Sequence, residues 1–231
     1  MKKTKKAFVC VTNDLLTDNR VDKVCNFLVE KGFEVTLVGR KRKSSLPLNN
    51  RNYTTKRLQL RFENGPKFYA EFSIRLFLYL LFKRQHLIVS NDLDTLLPCY
   101  ALTKFKPSVD LVYDSHEYFT EVPELINRPK VQKVWEAIEG WIFPKLKKVY
   151  TVNTSIAKMY ADKYKKKVEV VRNISPMWQP IEVPSKQDLG IPDGKFLVIL
   201  QGAGINIDRG AEEAVQALAL FRSEEHTSEL Q

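Results

Sequence analysis

His116 stands between Ser115 and Glu117, two residues after Asp114. An imidazole can donate a hydrogen bond, accept one or carry charge near neutral pH. In this setting it can orient a hydroxyl or answer charge that develops in a group transfer, although a satisfied structural histidine would look the same. Asp92-Leu93-Asp94 sets two carboxylates two residues apart. That spacing suits a hard cation, or else caps the helix that follows and builds the wall of a site. The turn GAGINIDRG, Gly202 to Gly210, lacks the dinucleotide-binding order of glycines. Its amides, Arg209 and the helix start behind it nonetheless suit a pyrophosphate. Cys10, Cys25 and Cys99 are odd in number and widely spaced, which excludes a disulfide framework, fits a reducing compartment and leaves no zinc cluster.

The elements that must position these groups alternate along the chain. AFVCVT (Ala7 to Thr12) is a nearly continuous apolar run, the mark of a strand buried on both faces of a parallel sheet. Arg20 to Lys31 carries Val21, Val24, Cys25 and Leu28 at helical spacing and stops at Gly32. Phe33 to Gly39 supplies the next strand. The same grammar predicts strands at 54–60, 86–90, 110–114, 148–152 and 168–172, with helices at 68–82, 96–105, 131–143 and 155–163. Residues 1–175 therefore read as one doubly wound, parallel-sheet, Rossmann-like α/β domain.

Pro176, Pro180 and Pro184 mark residues 176–194 as a linker. KFLVILQG (195–202) and a helix at 211–220 restart the strand-helix grammar, so residues 195–221 are expected to open a second, truncated Rossmann-like domain. The last ten residues, RSEEHTSELQ, match the translated read-through of a sequencing-library adapter, and 222–231 are read as an artefact.

Ligands of open parallel sheets sit outside the carboxyl ends of the strands. Here those ends run into Asn13-Asp14, Asn91-Asp92, Ser115-His116-Glu117, Asn153-Thr154 and Arg172-Asn173. Each suits a helix cap, yet so many polar endings on one rim exceed what capping needs. His86 opens a strand on the opposite rim and is read as structural. Charge is uneven too. The 231 residues carry a net charge of +10, and residues 1–60 hold 14 Lys/Arg against 5 Asp/Glu. The Lys2-Lys3-Thr4-Lys5-Lys6 arm and the Arg40-Lys41-Arg42-Lys43 run would draw a polyanion or an anionic membrane, or simply solubilise the face. The helix at 68–82, apolar nearly all round after Arg75, is either buried or lies at a membrane surface between basic flanks.

N13DLLTDNRV21, K31GFEVTLVGR40, S90NDLDTLLP98, Y113DSHE117 and Q201GAGINIDRG210 together resemble the retaining glycosyltransferases of family 4, across nearly all of residues 7–221. The likeness is greatest to bacterial members acting on envelope polysaccharide and lipid-linked glycans. It implies two Rossmann-like domains, an acceptor half followed by a nucleotide-sugar donor half. By the resemblance His116 is the active-site histidine. Asn13, Asp14, Asn19, Arg20, Asn91, Asp92 and Glu117 line the acceptor side, and Gly202, Asn206, Arg209 and Gly210 hold the donor pyrophosphate, Arg209 standing where lysine is commoner. The loop after the first strand departs from the family's glycine-rich form. The implied reaction moves a sugar from a nucleotide diphosphate to a glycan or lipid-linked hydroxyl with retention. It needs no bound metal and no cofactor beyond the nucleotide-sugar co-substrate. A cytoplasmic protein is expected, touching the inner face of the membrane peripherally. A dehydrogenase is excluded by the missing glycine turn and by Gly39-Arg40 where an acidic ribose ligand would stand. A nucleic-acid module lacks a recognition motif. A non-hydrolysing sugar-nucleotide epimerase and a non-catalytic anion-binding module remain alternatives.

Overall fold

In β1 (Lys5–Cys10), Ala7 and Val9 pack on one face while Phe8 and Cys10 pack on the other, and none of the four is more than 5% exposed. A strand apolar on both sides must be covered on both sides, and that requirement sets the architecture. Ala7 and Val9 meet Val21, Cys25 and Leu28 of α1 (Asn19–Glu30), the i, i+4, i+7 stripe read from the sequence. On the opposite face, Phe8 and Cys10 meet α2 (Gly65–Leu81) and α3 (Leu93–Phe105) through residues that include Phe72, Leu76, Cys99 and Leu102. Each large side chain buried this way contributes about 1.5–3 kcal/mol.

The computed structural model describes residues 4–175, 177, 182, 184–192, 194, 198–201 and 210–228. Contacts divide the chain into a unit of residues 1–174 and a unit of residues 175–231. The first unit holds seven strands, all parallel: β1, β2 (Phe33–Lys41), β3 (Thr54–Gln59), β4 (Leu87–Asn91), β5 (Asp110–Ser115), β6 (Lys148–Thr151) and β7 (Glu169–Val170). Their order is β3-β2-β1-β4-β5-β6-β7, a doubly wound sheet that reverses direction between β1 and β4. A short α4 (Pro123–Ile126), then α5 (Pro129–Ile142) and α6 (Thr154–Tyr164), cover β5 and β6, where Tyr113, Phe143 and Tyr160 fill the core. This is the Rossmann-like α/β fold the alternation predicted.

Three expectations change. β7 pairs for two residues rather than five; it is an edge strand, and Val171 beyond it is 56% exposed. The polar pair Arg172-Asn173 therefore lies past the strand, where Asn173 accepts from Lys23 Nζ at 3.0 Å. Arg40 is 8% exposed rather than part of a solvated basic run. It donates to the Glu63 carbonyl at 2.8 Å, and its guanidinium lies 4.3 Å from the Phe68 ring centroid. His86 is structural as read: its Nδ1 accepts from the Lys6 N–H at 3.0 Å.

In the second unit, α7 runs from Ala211 to Ser228, beyond the expected end at Leu220. Of the strand expected at 195–202, residues 195–197 and 202 lie outside the described residues. Val198, Ile199 and Leu200 are 50–70% exposed and pair with no strand among the described residues. A strand of this kind is stabilised by ladder partners and by burial, and these three residues have neither.

Candidate functional site

The sheet reverses between β1 and β4, so the loops after those strands, joined by the loop after β5, form the crevice. The loop after β1 is built by close approach. Arg40 N–H donates to the Asn13 carbonyl at 2.9 Å, and Leu15, 1% exposed, packs over Gly39. A Cβ on Gly39 would fall 2.4 Å from Leu15 Cδ2 and 2.5 Å from the Asn13 carbonyl oxygen, so only glycine lets the loop lie there. Two further arginines clamp it: Arg51 donates to the Leu15 carbonyl and Arg57 to the Asp14 carbonyl, both at 2.7 Å. At its end Asp18 caps α1, accepting from the N–H groups of Arg20 and Val21, while the Arg20 guanidinium turns back onto the same carboxylate.

From β4, Asn91 reaches across the reversal and donates to the Cys10 carbonyl at 2.9 Å. Asp92 occupies φ +59°, ψ 170°, a conformation costing a non-glycine residue about 1–3 kcal/mol. Its carboxylate makes no cap bond to α3 and instead accepts from the His116 N–H at 2.9 Å. Asp94 accepts from the Thr12 hydroxyl at 2.5 Å, a second tie across the reversal. The capping expected of this Asp-x-Asp pair gives way to wall-building, because both carboxylates are drawn to neighbouring strand ends. Among the described residues no cluster of three His, Cys, Asp or Glu is placed to hold a metal ion.

β5 delivers Asp114 and His116. Asp114 accepts from the Tyr150 hydroxyl of β6 at 2.5 Å, and its Oδ2 lies 3.3 Å from His116 Nε2. The His116 side chain is 6% exposed rather than open to the crevice, and neither ring nitrogen makes a hydrogen bond among the described residues. Asp114 Oδ1 and Asn91 Oδ1 are buried without partners as well. Beneath them Ser115 Oγ donates to the Glu117 carbonyl at 2.8 Å and meets Tyr160 Oη at 3.0 Å, which fixes the turn carrying His116.

Burial governs the charges. It pushes the Asp92 carboxyl well above the usual carboxylate range, reinforced by Asp94. It lifts Asp94 to about 6 and Asp114 to about 7, and depresses His116 to about 4, Arg20 adding to the last. Burial also raises Asp18, but the hydrogen bonds and charge of Arg20 outweigh it and leave that carboxyl below its ordinary value. Near neutral pH the crevice therefore holds a neutral imidazole, an ionised Asp18–Arg20 pair and carboxyls poised to take up protons. Such a clustering of shifted groups makes this the candidate functional site. Two open grooves lie elsewhere, one along β3 between Lys41, Lys56 and Arg75, one along α2 between Phe62 and Leu78. Neither gathers buried ionisable groups.

Of the residues named from sequence, Asn13, Arg20, Asp92 and His116 meet at this crevice. Asn13 Nδ2 donates to Asp18 at 2.7 Å. Asp14 accepts from the Leu16 N–H and from Ser45 Oγ, both at 3.3 Å. Glu117 is exposed beside His116, and Asn19 is exposed in the first turn of α1. Asn91, 1% exposed, stands inside the wall, and Asn153 caps α6 by accepting from the Ile156 N–H. Gly210 lies at φ +79° just before α7; Gly202, Asn206 and Arg209 lie outside the described residues. Sequence reasoning missed Thr12, Asp18 and Tyr150, while Asp94 and Asp114 were named without their partners Thr12 and Tyr150. Asp18 alone had a legible signal, an Asp directly before an amphipathic helix.

A seven-stranded parallel sheet whose order reverses beside a cluster of ionisable groups defines a Rossmann-like α/β protein with a candidate ligand site at the reversal. The sequence profile of Glycosyltransferase Family 4 matches residues 18–174, and the chain belongs to that family. Sucrose-phosphate synthase from Thermosynechococcus elongatus superposes with a TM-score of 0.54 at 13% identity, over 81% of this chain and 53% of that one. This chain thus spans about half the length of that structure, and the likeness shows the fold. A second sucrose-phosphate synthase structure from the same organism gives 0.46 at 16% identity, over 73% of this chain and 87% of that one, too slight to build on. No curated protein matches the sequence. Among the described residues no helix is long and apolar enough to cross a membrane.

Proposed function

We propose that this chain forms the acceptor half of a glycosyltransferase that moves a sugar from a nucleotide-diphosphate donor to a hydroxyl of a glycan or lipid-linked acceptor, with retention of configuration. Residues 195–221 would open the donor half, with Gly202, Asn206, Arg209 and Gly210 at the pyrophosphate. The observation that carries the reading is His116 at the sheet reversal: its side chain is buried, burial favours its neutral form, and neither ring nitrogen makes a hydrogen bond, although Nε2 lies 3.3 Å from Asp114 Oδ2. A buried polar group left unpaired costs about 1–3 kcal/mol, and a sugar hydroxyl entering the crevice would recover it. Asp92 would hold the His116 backbone, and the Arg20–Asp18 pair would set the field around it. Catalysis would come from positioning and preorganised charge, without a metal.

The test is made on the active enzyme that carries this chain. Nucleotide-diphosphate sugars are screened for acceptor-dependent release of nucleoside diphosphate, and the anomeric configuration of the product is read by NMR. A retained anomer supports the reading. Release that needs no acceptor, or an inverted product, contradicts it.

A further inference from the structure

The helix read from sequence as either buried or membrane-facing is buried on one side and bare on the other. Phe68, Phe72, Leu76 and Leu80 of α2 are 4% exposed or less and pack under the sheet. On the outer side Ile74 is 60% exposed, Leu78 46% and, one residue past the helix end, Phe82 81%, spaced four residues apart so that they form one stripe. Phe62, 43% exposed, flanks a groove along the helix lined by Lys67, Ala70, Ile74 and Leu78.

Cations frame this stripe. Arg61, Lys67, Arg75, Lys83 and Arg84 are all exposed. Lys67 Nζ lies 5.5 Å from the Phe62 ring centroid and Lys83 Nζ 5.4 Å from that of Tyr79, each ammonium held beside an aromatic face. Glu71 is the one acid within α2, and it is already engaged by Arg75 at 2.8 Å and by the N–H groups of Arg61 and Phe62. Part of the basic surplus of residues 1–60 is engaged elsewhere in the fold. Arg40, Arg51 and Arg57 donate to backbone carbonyls inside the fold, and Lys6, at the start of β1, pairs with Glu34 at 2.8 Å.

We propose that the outer face of α2, with Phe62, Ile74, Leu78 and Phe82 between Arg61, Lys67, Arg75, Lys83 and Arg84, docks this chain onto an anionic lipid surface. An apolar stripe edged by cations matches the layering of a leaflet, acyl chains below and negative headgroups above, and so favours lipid over a second protein. The helix lies in the interface plane and does not insert. Docking goes beyond the transfer reading and does not depend on it.

The test is co-sedimentation of the 231-residue chain with vesicles of phosphatidylcholine alone or of an equal mixture with phosphatidylglycerol. Binding is expected to the mixed vesicles only, and to fall steeply as salt rises. Lys83→Glu/Arg84→Glu should weaken partitioning by roughly 30-fold or more, about fivefold for each cation removed. Ile74→Ser/Leu78→Ser should weaken it comparably, and these exposed positions leave folding intact by circular dichroism. Lys158→Glu/Lys165→Glu carries the same charge change at α6, which packs on β6 and β7 at the opposite end of the sheet from α2, and should bind like the parent. Equal binding to both vesicle types, an equal loss with the control pair, or undiminished binding by the Ile74/Leu78 variant would overturn the proposal. So would a stable dimer dispersed by that same variant, which would mean a second copy covers the face.

Discussion

The carboxylate of Asp92 accepts from the backbone N–H of His116 at 2.9 Å, across the gap between the ends of β4 and β5. Asp92 holds a left-handed φ of +59° to do so. A strained residue makes the bond that sets the histidine, so strain and positioning share one position. Asp92→Gly would relieve about 1–3 kcal/mol of strain and lose a buried hydrogen bond worth about 0.5–1.5 kcal/mol. Its melting temperature should move little, while the His116 amide resonance shifts and exchanges faster. Asp92→Ala keeps the strain, loses the bond and should melt distinctly lower. Equal stability of the two variants would refute this coupling.

Gly39 and Gly140 should respond in opposite directions to alanine. At Gly39 the added carbon meets Leu15 and the Asn13 carbonyl within 2.5 Å, and overpacking of this kind costs about 1–3 kcal/mol. At Gly140, inside α5, nothing lies within 4 Å, and alanine should gain about 0.4–1 kcal/mol. Urea midpoints measure both, and a stabilised Gly39→Ala would show that the loop does not need the close approach.

Asp114, Asp94 and His116 make stability depend on pH in opposing senses. A carboxyl whose pKa is higher folded than unfolded binds more protons when folded, so its contribution falls as pH rises between the two values. For Asp114, raised to about 7, that window runs from roughly pH 4 to 7; for Asp94, raised to about 6, it closes sooner. His116, depressed to about 4, acts the other way, and its contribution is lost as pH falls from roughly 6.5. In Asp114→Asn the first contribution is gone. Its stability relative to the parent should therefore climb as pH rises through that window, followed by denaturation at each pH. A flat difference would show that Asp114 titrates at an ordinary carboxylate pKa.

Arg57 donates to the carbonyls of Asp14 and Leu46 at 2.7 and 2.6 Å. Arg57→Met keeps much of the apolar stem and removes both bonds, each worth about 1.5–3 kcal/mol with a charged donor. Hydrogen exchange should quicken at residues 13–16 more than in β4. Uniform exchange across the domain would mean the clamp is not local.

The sheet was legible in the sequence because strands buried on both faces, such as β1 and β4, read as unbroken apolar runs. Their polar ends followed from the same pattern, and so did His116 and Asp92. What the pattern could not show depends on approach between segments distant in the chain. Nothing around Gly39 announces that Leu15 lies on it, and nothing in Arg40, Arg51 or Arg57 separates an arginine feeding carbonyls from one on the surface. The depth of His116 was not legible for the same reason. A strand end looks exposed until Asp92 and Asp114 are seen to lie against it. Both outcomes for α2, one face buried and one bare, were hidden by a composition apolar on every side.

His116→Ala, in the active enzyme that carries this chain, tests the central claim most directly, with initial rate and thermal unfolding taken on the same preparation. The side chain is buried, so some loss of melting temperature is expected from the cavity. Turnover per folded molecule should fall by about 100-fold or more, the loss of roughly 2.7–4 kcal/mol that follows removal of a group stabilising the transition state. Donor binding should weaken far less than turnover. A variant that melts lower while its folded fraction turns over at nearly the parent rate would return His116 to a structural role and contradict the account.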